Sequence, residues 1–105
     1  MSIKNKSEAR KFLEKYTSGP LTLGRILSST RLAENISQVD FAKKLKISVT
    51  HLCDIEKGRK TVSPARAVRF AKILGLSEKQ FVRIVLQDEL NKAGLKKFQV
   101  LIEAA

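Results

Sequence analysis

The run SQVDFAKKLKISVTHLCDIEKG, residues 37–58, holds two short helical periods separated by a tight turn. Ser37 is placed to cap the first helix, whose Val39, Phe41, Ala42 and Leu45 fall on one stripe that must be buried. Lys46 and Ile47 form the connection, and Ser48 caps a second helix whose inward positions are Leu52 and Ile55 and whose end is marked by Gly58. Ile47 is expected to plug the space between the helices, and Ala42 is small enough for them to cross closely at a steep angle. The outer face of the second helix, with Val49, Thr50, His51, Cys53, Asp54 and Lys57, is then left free.

Composition narrows what such a face can meet. The 105 residues carry 21 Lys and Arg against 10 Asp and Glu, a formal charge of +11, so the chain attracts polyanions across solvent. The excess is spread along the chain and does not by itself locate a site. An apolar content of 43% supports one compact core. One cysteine cannot form an internal disulfide, and neither a signal peptide nor an eighteen-residue apolar span is present, which leads to the expectation of a cytoplasmic protein. His51 and Cys53 fall short of the three or four ligands that a metal site requires, so no metal or cofactor is expected. One histidine, one cysteine and no carboxylate pair beside a glycine-rich loop argue against an enzyme, and no catalytic residue is assigned.

Gln38, Ala42, Ser48 and the run Ile55-Glu56-Lys57-Gly58-Arg59 resemble the Cro/C1-type, phage repressor-like helix-turn-helix family. The resemblance covers residues 22 to 76, because the family adds a helix before the motif, here about Thr22 to Glu34, and another after it, about Ser63 to Leu74. It implies an all-α fold in which the outer face of the second motif helix meets the major groove of DNA. Val49, Thr50, His51 and Asp54 are then the expected base readers. Gln38, Ser48, Lys57, Arg59 and Lys60 are the expected phosphate contacts. The family also implies an ion pair between Arg31, late in the first helix, and Glu56, at the end of the recognition helix. Two departures stand out: Lys46 occupies a turn position where the family usually has Gly for a left-handed backbone, and Val62 stands where many relatives have Pro.

Outside the motif, Ala9, Phe12, Leu13 and Tyr16 share one face of an expected extra helix from Ser7 to Tyr16, which Gly19-Pro20 ends. Thr22 caps the next helix, with Leu23, Ile26, Leu27 and Thr30 inward. Ser63-Pro64 starts a helix that buries Ala67, Phe70, Ala71 and Leu74 before Gly75 and Leu76 turn the chain, and Ser77 caps the last long helix. There Phe81, Ile84, Val85, Leu86 and Leu90 supply more apolar surface than one seam needs, so part of it is expected at a subunit interface. In residues 96–103, KKFQVLIE, Phe98, Val100 and Ile102 alternate with Gln99, Leu101 and Glu103, the pattern of a short strand, with continuation of the helix as the rival. With no other strand candidate in the chain, the natural partner is the same strand of a second copy.

The expected architecture is therefore an all-α, five-helix helix-turn-helix domain with an extra N-terminal helix and a short C-terminal strand that pairs across a dimer. Residues 1–21 form the extension, 22–76 the DNA-binding domain and 77–105 the dimerisation helix and tail. Phe81, Ile84, Val85, Leu90, Phe98, Val100 and Ile102 are the expected dimer contacts. The expected function is a sequence-specific repressor binding double-stranded DNA at an inverted repeat as a homodimer. A strand-paired dimer also resembles some antitoxins of type II toxin-antitoxin systems, which would add a toxin protein as partner. The competing reading is a toxin-neutralising interaction module with little DNA binding of its own.

Overall fold

The computed structural model describes residues 21–103 as five α-helices: α1, Leu23–Ala33; α2, Gln38–Leu45; α3, Val49–Glu56; α4, Pro64–Leu74; and α5, Glu78–Lys92. Each begins at a hydroxyl side chain that accepts from a backbone N–H three residues on: Thr22, Ser37, Ser48, Ser63 and Ser77. Pro64 then sits in the first turn of α4, where its missing donor costs nothing. The expected helix from Ser7 to Tyr16 lies outside the described residues.

The helix ends follow an equally regular logic. Lys46 takes the left-handed conformation expected at the motif turn (φ 61°, ψ 41°), and Ile47 N–H reaches back to Ala42 C=O at 3.0 Å. Gly75 (φ 68°) closes α4 in the same way, through Leu76 N–H to Ala71 C=O. A lysine tolerates this geometry less easily than glycine, so the turn holds because Ile47 packs against the core behind it.

Phe41, Phe70, Leu27 and Leu52 are the largest side chains sealed in the core, which also takes Ala42, Leu45, Ile55, Ala67 and Ala71. α3 packs on α1 and α2, and α4 lies along α5. Gly24 makes the α1–α3 crossing possible: a Cβ there would land on the Ile55 carbonyl oxygen. Val62, at the position where relatives have Pro, is itself a core residue.

Three expectations need correction. Val39, counted in the buried stripe of α2, is 49% exposed, because Phe41, Ala42 and Leu45 suffice for the inward face of an eight-residue helix. Phe81, Ile84 and Val85 are buried within the chain's own core, so they are not available to a partner; α5 spends them against α4 and α1. Of the expected dimer contacts, Leu90, Val100 and Ile102 are half-buried and Phe98 is exposed. Finally, residues 96–102 form no paired strand among the described residues: Lys96 and Lys97 make a turn after Gly94, and Phe98 to Glu103 belong to no helix or ladder. A lone strand has no backbone partner among the described residues, and a side chain of α5 takes that place on one edge. Gln87, only 5% exposed, donates from Nε2 to Phe98 C=O (2.8 Å) and accepts from Val100 N–H at Oε1 (2.9 Å).

Candidate nucleic-acid interface

With Leu52 and Ile55 committed to the core, α3 turns Val49 and Thr50 to solvent at its N-terminal end. Neither side chain makes a hydrogen bond among the described residues, so Thr50 is free to bond a base edge and Val49 to meet a thymine methyl. Ser48 spends its Oγ on His51 N–H, at 3.0 Å. Its exposed hydroxyl therefore caps α3 as well as standing at the same end of the helix as Val49 and Thr50.

The other two expected readers are already engaged. Arg59 Nε lies 2.8 Å from Asp54 Oδ1, and Lys60 Nζ lies 3.8 Å from Oδ2. The Asp54 backbone carbonyl also receives the N–H groups of Arg59 and Lys60, which wraps the chain over the end of α3. The Arg59 hydrogen bond, with the charges of Arg59 and Lys60, holds the Asp54 carboxyl below its ordinary pKa. Asp54 thus fixes two cations at the C-terminal end of α3. His51 lies against Arg66 of α4, whose Nη1 is 3.3 Å from each ring nitrogen, a placement that suits a cation over an imidazole better than one in-line hydrogen bond. Partial desolvation, then the charges of Arg66 and Lys60, push the His51 pKa down, with Asp54 opposing.

At the base of the motif, Arg31 holds Glu56 through Nε (2.9 Å) and Nη2 (3.1 Å) and also donates to Ile36 C=O. Gln38, expected on phosphate, donates instead from Nε2 to Glu56 Oε1 at 3.1 Å. The carboxylate thereby ties the start of α2 and the end of α3 to α1. Gln38 keeps its amide oxygen and its place in the first turn of α2, where backbone N–H groups point outward. Lys57, Arg59 and Lys60 are all exposed beyond the end of α3. Arg66 is the residue that sequence reasoning missed; its signal was a cation in the first turn of the helix after the motif, but nothing in the spacing tied it to His51.

Among the described residues no group of His, Cys, Asp and Glu could hold a metal ion, and no helix is long and apolar enough to cross a membrane. A family model described as Helix-turn-helix matches residues 27–81, more than half of the chain and all of the surface just described. No curated protein and no solved structure matches the chain.

Proposed function

The chain belongs to the Cro/C1-type helix-turn-helix family, and on that premise we propose that it is a sequence-specific DNA-binding regulator, a repressor that binds an inverted-repeat operator as a homodimer in the cytoplasm. The observation that carries this reading is the division of labour on α3. Its inner face is buried, Val49 and Thr50 stand free at its N-terminal end, Arg66 of α4 lies against His51, and Lys57, Arg59 and Lys60 are exposed beyond its C-terminal end. Thr50 and Val49 read base edges, and His51 contributes where the groove wall displaces Arg66. Asp54 acts chiefly by pairing with Arg59 and Lys60, which tempers their pull on the phosphates. Gln38 and Ser48 bring helix N-termini to the backbone of the DNA.

One motif meets only a few base pairs, too few to select a site in a genome, whereas a two-fold pair about 34 Å apart doubles the contacts. Of the expected dimer contacts, those left for assembly are Leu90 and the tail, where Phe98 is 52% exposed and the neighbouring Leu101 89%. The same exposed tail favours the second reading, an antitoxin that regulates its own operon and offers this end of the molecule to a toxin. Nothing in the assignment requires catalysis.

Mobility shift on the DNA upstream of the chain's own reading frame tests the proposal, with a salt series on any site found. Six to eight phosphate contacts per dimer give a log–log salt slope of about −5 to −7. Binding that ignores salt, or that shows no preference for an inverted repeat over random duplex, would sink it. A small toxin-like frame abutting the gene would favour the antitoxin form.

A further inference from the structure

Gln87 is, among the described residues, the buried polar side chain, and its amide makes the two bonds that one residue of a strand makes to a parallel neighbour: donating to residue 98, accepting from residue 100. A second bond from Nε2 to Asn91 Oδ1, at 3.1 Å, fixes the amide's orientation. This pattern needs Phe98 C=O and Val100 N–H on the same side, so the chain at Gln99 is extended and its own N–H and C=O face the other way. From Gln99 onward burial follows the same period: Val100 and Ile102 are half-buried, while Gln99, Leu101 and Glu103 are exposed; Phe98, on the face of Val100, is exposed where the tail begins. Among the described residues the backbone groups of Gln99 and Leu101 have no partner.

We propose that Gln87 is a positioning residue that holds the tail as a one-sided strand, and that the occupant of its open edge is the tail of a second copy, antiparallel and centred on Val100. This deepens the homodimer reading above and rests on it. The register follows from the residues. Centring on Val100 lets Gln99 and Leu101 exchange backbone hydrogen bonds, sets Phe98 of each copy opposite Ile102 of the other, and brings Lys97 to Glu103 at both ends. Shifting the centre to Gln99 would face Lys97 with Leu101 and leave Glu103 without a cation. Unpaired edges with exposed apolar side chains are self-complementary, and a two-fold axis satisfies both at once.

Sedimentation of the full chain and cross-linking under mild oxidation test this together. In the proposed register two Val100 residues face each other about 4.5 Å apart at Cα, within disulfide reach, whereas two Leu101 residues do not. Val100→Cys is expected to give a covalent dimer, and Leu101→Cys no more than the wild type, whose Cys53 sets the background. Gln87→Leu, which keeps the volume but releases the tail, is expected to weaken dimerisation by about tenfold or more. Lys97→Glu and Glu103→Lys should each weaken it and the double exchange restore it, a rescue that a merely structural role for the tail would not produce. A wild-type dimer that is indifferent to Gln87→Leu and cross-links no better through Val100→Cys overturns this proposal and leaves the homodimer reading standing. A wild type that stays monomeric overturns both. Should Gln87→Leu fail to fold, the cysteine and charge-exchange variants decide.

Discussion

Arg31 and Glu56, 25 residues apart in sequence, meet through two guanidinium nitrogens, with only 15% and 5% of their side chains exposed. Pairing raises the Arg31 pKa further, chiefly through the hydrogen bond to Glu56, so the cation persists at any working pH. Breaking the pair leaves a desolvated charge. Arg31→Ala is expected to cost about 3 to 5 kcal/mol in urea unfolding, a large part of what a domain of this size has. Arg31→Lys should recover only part of that, because one ammonium cannot span both carboxylate oxygens and Ile36 C=O.

Gly24 gives a second stability test. An alanine there gains helix propensity but collides with a backbone carbonyl that cannot swing aside. Gly24→Ala is expected to destabilise by about 1 to 3 kcal/mol, measured by thermal or denaturant unfolding. A neutral or stabilising result would mean that the α1–α3 crossing adjusts freely.

Asp54 separates reading from holding. If it fixes Arg59 and Lys60, Asp54→Ala releases two cations, and binding to random duplex should tighten and become more salt-dependent while base preference changes little. Thr50→Ala should do the reverse, relaxing preference by about 1 to 3 kcal/mol at one position with the salt slope intact. A panel of operator variants measured at two salt concentrations distinguishes them.

His51 makes both folding and binding depend on pH, in opposite directions. Because its folded pKa is lowered, the neutral ring is favoured by the fold. That contribution is complete above the unfolded value of about 6.5 and declines as pH falls below it, levelling off under the lowered folded pKa. DNA phosphates favour the cation, so operator affinity should rise over the same interval as stability falls. His51→Gln should remove both trends in unfolding and in fluorescence titration, respectively.

Much of this was legible in the sequence because it depends on local chemistry. Hydroxyl caps and the inward Phe41, Leu52 and Ile55 follow from neighbours within a turn or two, whereas the left-handed position at Lys46 came through family resemblance. The Arg31–Glu56 pair was reached through family resemblance rather than spacing. What escaped depends on distant segments: Arg66 against His51, and Gln87 beneath the tail. The alternation of Phe98, Val100 and Ile102 was read as the mark of a strand awaiting another strand, yet one of its edges is met by a helix side chain. Phe81, Ile84 and Val85 looked surplus because one helix was judged alone, whereas α4 and α1 together absorb them.

The choice of serine and threonine for all five helix caps has an electrostatic consequence. Aspartate would cap as well, but it would neutralise the positive end of the helix macrodipole, and α3, unlike α2 with its Asp40, has no acidic residue in its first turn at the end that the proposed reading turns toward DNA. A hydroxyl completes the helix and leaves its field intact. Ser48→Asp should therefore melt where the wild type melts yet bind operator about tenfold more weakly, whereas Ser77→Asp, at a helix start remote from the motif, should leave binding alone. Stability and affinity, entangled at most interface positions, come apart at a single oxygen.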